Sequence, residues 1–191
     1  DSNNQRVDAN QLERTAGASE GEPLQMPIPT DQPTGSYQTS DGALTISLTQ
    51  PRITEFEVRN NGGEDVNDGI LTTGQDDATV YTEYNFESAE DVELIVEDDS
   101  GTEVTQEIVD SGVTISDGGS IGISPDSVDA GEYTFTVEGE DDLDFGEATQ
   151  STTVTISSST QASLNLNSEE VTQGSNLGYT IEDSPEGSYH A

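Results

Sequence analysis

The sequence predicts an all-β protein, and three observations predict it. Short runs of Val, Ile, Tyr and Phe alternate with Thr, Ser and Glu along much of the chain, the period of a half-buried strand. Clusters of Gly, Asn and Asp punctuate those runs, as in a sandwich of short strands. The third observation is the stretch Asp129-Ala-Gly131-Glu-Tyr133-Thr-Phe135-Thr-Val137. Gly131 frees the backbone for the approach to a strand, and from Tyr133 onward one face is apolar. In immunoglobulin-like sandwiches a tyrosine near the start of strand F bonds back to the preceding loop, and the second cysteine, where present, follows two residues later. Tyr133 fits that tyrosine, and Phe135 stands at the cysteine's place. The same Gly-x-Tyr recurs at Gly35-Ser-Tyr37 and, differently placed, at Gly187-Ser-Tyr189. The expected architecture is tandem immunoglobulin-like β-sandwich domains, one complete and two partial.

In order, residues 1–32 are polar and weakly periodic. Leu24, Met26 and Ile28 alternate, but the prolines among them confine that run to an edge strand or an extended connection. Gly35–Thr39 and Gly42–Leu48 read as the last two strands, F and G, of a domain whose C-terminal part is 1–50. A complete domain is expected over 51–158. Its strands are Ile53–Val58, a short Ile70-Leu71, Thr79–Phe86 as strand B, Val92–Val96 as strand C and runs at Val104–Val109 and Val113–Ile115. Ile121–Ile123 as E, Tyr133–Val137 as F and Thr153–Ile156 as G complete it. Asn60–Gly63 and Asp98–Gly101 are turns. After the polar joint Ser157–Thr160, Ala162–Leu166 and Val171–Ile181 begin a third unit, 159–191. Ser184–Gly187 is read as a turn in it, before a strand that Tyr189 opens. Such an order is that of a segment from a longer array.

Charge narrows the partners. Forty Asp and Glu face four basic residues, Arg6, Arg14, Arg52 and Arg59, for a net charge of −36. Low hydrophobicity with high net charge marks either a disordered chain or a protein of molar salt, where screening shortens to about 3 Å. The acids here sit among Val, Ile, Tyr and Phe at strand spacing, not in blocks, and this decides for a folded halophilic protein. Nucleic acid is excluded as a partner, because phosphate backbones need clustered Lys and Arg. Anionic membrane surfaces are excluded on the same ground. With no cysteine, disulfides and thiol chemistry are ruled out. No apolar run approaches 18 residues and no signal peptide is present, so targeting and anchoring parts are expected elsewhere.

Several stretches, taken together, resemble the haloarchaeal cell-surface (S-layer) glycoproteins. They are Gln50–Ile53, Tyr84-Asn-Phe86 with Ala89–Val92, Asp129–Tyr133 and Asp142–Gly146, followed by Val171–Gly174, Tyr179–Ile181 and Ser184–His190. The resemblance covers roughly residues 33–191. It implies tandem immunoglobulin-like domains, glycosylation, a membrane anchor at the far C-terminus and self-assembly into a two-dimensional lattice at the cell surface. The expected partner is the chain itself, with membrane contact only through an anchor outside this segment. The sequence departs from that pattern in having no Asn-x-Ser/Thr sequon and no anchor. An adhesion or ligand-binding module of another secreted haloarchaeal protein, or an accessory domain on a secreted hydrolase, would use the same fold.

No enzyme is expected. His190 is the single histidine and there is no lysine, so no general base with an orienting partner can be assembled around a serine. Paired carboxylates abound by composition alone and say nothing about glycoside chemistry. No cofactor is expected, apart from a structural Ca²⁺. Glu138-Gly-Glu140-Asp141-Asp142-Leu-Asp144 crowds five carboxylates between strands F and G, and Ca²⁺ takes six to eight oxygens. Asp141, Asp142 and Asp144 are the candidate ligands, with Glu97-Asp-Asp99 and Asp76-Asp77 as smaller clusters. None has EF-hand spacing, and a hydrated acidic surface explains the same residues. Ser157–Thr160 is the stretch open to O-glycans. Tyr133, Gly131 and Tyr37 are the structural positions expected to fix the fold.

Overall fold

Inward-facing residues two apart build a sandwich from residue 53 onward. The structure is a computed structural model that describes residues 7–74, 78–158, 163–167 and 170–182. It divides into two units, Asp1–Gln50 and Pro51–Ala191.

In the first unit three strands form one antiparallel sheet: β1 (Leu12–Arg14), β2 (Gly35–Thr39) and β3 (Thr45–Leu48), in the order β1-β2-β3. Its core is Leu12, Leu24 and Tyr37, with Ala9, Ile46 and Leu48 packed against them. The strand expected from Gly42 begins only at Thr45, because Gly42, at φ +70°, belongs to the turn. The run 24–28 is a connection rather than a strand. Leu24 is buried while Met26 and Ile28 lie in solvent, so residues two apart do not share a face.

The second unit stacks a three-stranded sheet on a five-stranded one. The first holds β4 (Ile53–Arg59) and later strands β6 and β9; the second holds β5 (Ile70–Thr72) and the rest. Next in sequence come β6 (Ala78–Tyr84), β7 (Val92–Asp98), the helix α1 (Thr105–Ile108), β8 (Thr114–Ile115) and β9 (Gly119–Ile123). The long hairpin β10 (Gly131–Gly139) and β11 (Thr149–Ser157) completes the unit. The sheet orders are β4-β6-β9 and β5-β11-β10-β7-β8. β5 runs parallel to β11; the other pairings are antiparallel.

Phe56, Val58, Val80, Tyr84, Ile121 and Ile123 from the first sheet meet Leu71, Val92, Leu94, Val96, Tyr133, Phe135, Val137, Val154 and Ile156 from the second in one apolar core. β6 and β10 alternate buried and half-buried residues almost without fault, and each is flanked on both sides. A bulge in β4 between Ile53 and Glu55 turns both Ile53 and Phe56 inward, though they stand three apart.

The segment expected as a strand at Val104–Val109 is instead a single helical turn. Its apolar residues, 104, 108 and 109, have helical spacing, and Ile108 plugs the core at no exposure. Thr105 fixes it there by accepting a hydrogen bond from the Val96 amide through Oγ1, at 2.9 Å. β12 (Ser163–Leu166) and β13 (Tyr179–Glu182) form a hairpin in which Leu166 and Tyr179 are exposed. The expected turn at Ser184–Gly187, Tyr189, His190, Asp76-Asp77 and part of the joint Ser157–Thr160 lie outside the described residues.

Candidate functional site

The sequence-predicted tyrosines fall into one repeated geometry. Tyr133 Oη donates to the Asp129 carbonyl at 2.7 Å, and Tyr37 Oη donates to the Pro33 carbonyl at 2.6 Å. In each case the hydroxyl reaches four residues back, closing the loop that feeds a central strand. Tyr133 is buried, and burial, then the charges of Asp129, Asp98, Asp99 and Glu107, hold its hydroxyl above the ordinary tyrosine value. Tyr37 is fully buried, and its oxygen also accepts from Gln32 Nε2 at 2.8 Å.

The two glycines that precede these tyrosines are not equivalent. Gly35 sits at φ +135°, a region that L side chains rarely adopt, whereas Gly131 has ordinary extended backbone. A Cβ added at Gly131 would lie 3.8 Å from Cε2 of Tyr133, an ordinary contact. Gly131 is therefore not needed for its conformational freedom. Gly131→Ala is expected to change stability by less than about 0.5 kcal/mol, while Gly35→Ala costs about 1–3 kcal/mol in backbone strain. Urea unfolding of the two variants checks this, and equal losses would sink the distinction.

A third buried tyrosine escaped the sequence reading. Tyr84 Oη donates to Asp91 Oδ1 at 2.8 Å and lies 3.3 Å from the Ile115 carbonyl, and the Tyr84 and Phe86 ring centroids are 4.6 Å apart. Burial first, then the bond to Asp91, raises its pKa. On the outer face of β4 and β6, the Arg59 guanidinium lies 3.8 Å over the Tyr81 ring. Arg59 donates to Glu57 Oε2 at 2.6 Å, and Tyr81 Oη donates to Glu83 Oε1 at 2.6 Å, which pushes the phenol up to about 12. Among the described residues, the ion pairs of the chain are those of Arg59 with Glu55 and Glu57.

The candidate cation ligands Asp141, Asp142 and Asp144 are exposed, in the loop between β10 and β11. Among the described residues no three His, Cys, Asp or Glu side chains converge as a metal site. The acids that do face one another belong to the strands behind that loop. Glu93 on β7 and Glu138 on β10 are register partners, a like-charge pair across the ladder. Burial, then Glu140, Glu103 and Asp141, raise Glu93; burial, then Asp144 and Glu93, raise Glu138.

A raised carboxylate favours folding below its unfolded pKa, and that contribution is lost as pH climbs through the folded value. Glu93→Gln is accordingly expected to raise Tm at pH 7, with the gain shrinking as pH falls below the ordinary glutamate value of 4.5. Thermal melts across that window test it, and a gain that grew on acidification would reverse the argument. A shallow polar cleft of about 470 Å³, lined by Arg52, Thr54, Glu147, Thr149 and Gln150, brings no nucleophile and base together.

No protein-family model matches the chain. Curated proteins do. It is 50% identical over 99% of its length to the cell surface glycoprotein of Halobacterium salinarum. It is 42% identical over its full length to the protein of that name from Haloarcula japonica, and 45% identical over 96% to the one from Haloarcula marismortui. The chain spans about a quarter of the length of these relatives, 24% of the first and 25% of the second. Over nearly its whole length the chain is homologous to one part of the haloarchaeal cell surface glycoproteins, and its place is outside the cell, at the surface.

Proposed function

We propose that this chain is a non-catalytic structural segment of an S-layer, a lattice of identical subunits that encloses the cell. Its work is mechanical and steric, and its partner is further copies of itself. The observation that carries the reading is the recurrence of one tyrosine device in two successive units, Pro33/Tyr37 and Asp129/Tyr133. Repetition of one loop-and-strand unit is how arrays are built, and nothing in either copy is committed to chemistry. Homology to proteins named for the cell surface supports the same reading.

The sandwich is of immunoglobulin type in this proposal. β4, β6 and β9 take the parts of strands A, B and E, while β7, β10 and β11 take those of C, F and G. Domains of that kind follow one another along 1–50, 51–158 and 159–191. The exposed Leu166, Leu177 and Tyr179 of the last stretch support an unfinished core there.

Envelopes from cells lacking the protein provide the test, imaged beside envelopes of the parent. Loss of the regular lattice is the expected result. A lattice that persists without the protein would overturn the proposal.

A further inference from the structure

Most strand edges in this molecule are closed by an identifiable device. β1 is covered by the following loop, where the Leu24 amide donates to the Leu12 carbonyl at 2.8 Å and the Arg14 amide to the Glu22 carbonyl at 2.9 Å. On β4, Asn67 imitates a strand with its side chain: Oδ1 accepts from the Val58 amide at 2.9 Å and Nδ2 donates to the Phe56 carbonyl at 2.7 Å. β9 is covered by the end of α1, through Asp110 N to the Gly122 carbonyl at 3.1 Å and Ser124 N to the Ile108 carbonyl at 2.7 Å. Such devices prevent edge-to-edge pairing.

β3 has none. It ends its sheet, and no described residue pairs with its outer edge. Nor is it guarded by charge, since nothing charged stands between Asp41 and Arg52 in a chain of net charge −36. β4, by contrast, carries Glu55, Glu57 and Arg59. The strand whose composition β3 shares is β11, which is equally free of charge and has neighbours on both sides, β10 and β5.

The two tyrosine corners align these strands residue by residue. Tyr133 pairs with Val154 in β11, and Tyr37 pairs with Ile46 in β3, so Ser47 corresponds to Thr155. The Thr155 amide donates outward to the Gly69 carbonyl at 2.9 Å, as the chain enters the parallel strand β5. The Thr39 amide donates to the Leu44 carbonyl at 3.0 Å, which by the alternation of an antiparallel ladder points the amides of Thr45 and Ser47 away from β2. Ser47 thus presents the donor that Thr155 presents, without the acceptor.

We infer that the outer edge of β3 is a strand-acceptor site, filled in the longer protein by an extended segment of the same polypeptide that runs parallel to it. The inference rests on the reading of the chain as one stretch of a serial array. β5 lies far ahead of β11, with Ile70 opposite Thr155, and the same interval counted back from Ser47 passes residue 1. The relatives leave ample chain for it, since this one spans 24% of the first of them.

The test is hydrogen exchange resolved to single residues, on the full-length protein held as a monomer and on the 191-residue chain, both in molar salt. The Thr45 and Ser47 amides are expected to exchange roughly tenfold or more slowly in the full-length monomer. Ser47→Pro in that protein removes one outward donor without touching the ladder to β2. It is expected to restore fast exchange at Thr45 and leave Ile46 slow. Fast exchange in both proteins, or slow exchange in both, overturns the inference. Slowing that appears only on assembly would assign the strand to a second copy and overturn the same-chain source. A full-length protein that forms no lattice yet protects these amides would defeat the lattice reading and leave the acceptor site standing.

Discussion

Tyr133→Ala should destabilise the second unit by about 3–5 kcal/mol, and Tyr133→Phe by about 1 kcal/mol. The larger figure follows from position. Tyr133 is 6% exposed in a strand flanked by both β7 and β11, so truncation opens a cavity in the middle of the five-stranded sheet. The smaller figure isolates the hydroxyl, whose bond to the Asp129 carbonyl is then lost while the ring stays in place. Tyr37 provides an internal comparison. Its hydroxyl is fully buried and serves two partners, donating to Pro33 and accepting from Gln32, itself 6% exposed. Tyr37→Phe leaves a buried amide short of its acceptor, so it should cost more than Tyr133→Phe, about 1–3 kcal/mol. Equilibrium unfolding in molar salt measures each loss. No loss from Tyr133→Ala would mean that the corner does not hold the sheet, and a greater loss from Tyr133→Phe than from Tyr37→Phe would reverse the hydrogen-bond argument.

The strands that the sequence made legible are those whose alternation is long and whose both faces have work to do. β6, β7 and β10 each bury every second residue, and period two is a local property that survives without knowledge of the neighbours. What stayed hidden depends on contacts between distant residues. β1 has one buried residue, Leu12, and is a strand because β2 and residues 21–24 lie on either side of it. α1 was mistaken for a strand since Val104, Ile108 and Val109 belong to a short apolar run, which a helical turn and a strand can share. The hydrogen bonds of Asn67 to β4 and of Tyr84 to Asp91 carry no local pattern at all. The candidate cation loop illustrates the opposite error. Crowding along the chain at 141–144 looked like convergence, but acids adjacent in sequence repel and turn outward, while Glu93 and Glu138, remote in sequence, are the pair that the ladder forces together.

Salt should move stability further than any single substitution on the surface. The chain carries −36, and among the described residues Arg59 alone supplies ion pairs. Its neighbours Glu55, Glu57 and Glu83 share that one cation, and Glu55 is raised by burial, then by Glu83 and Glu57. Across the other sheet Glu93 opposes Glu138 with no cation between them. At about 0.1 M salt the screening length is about 10 Å, long enough for each carboxylate to feel several others; at 1 M it is about 3 Å, and most of that repulsion is gone. A like-charge neighbour at a surface costs some tenths of a kcal/mol. Summed over so many acids, this amounts to several kcal/mol, against a total stability of about 5–15 kcal/mol for a domain of ordinary size. The unit should therefore be partly or wholly unfolded in dilute buffer and gain at least about 10 °C in Tm between about 0.1 M and several molar NaCl. Circular dichroism melts at neutral pH follow the transition. Sodium chloride is the salt to use, because sulfate also strengthens apolar burial through exclusion from the surface. A parallel series in sucrose separates the two causes, since sucrose favours burial and screens nothing. A β-spectrum and Tm unchanged across the chloride series, or an equal gain in sucrose, would show that self-repulsion does not limit this fold.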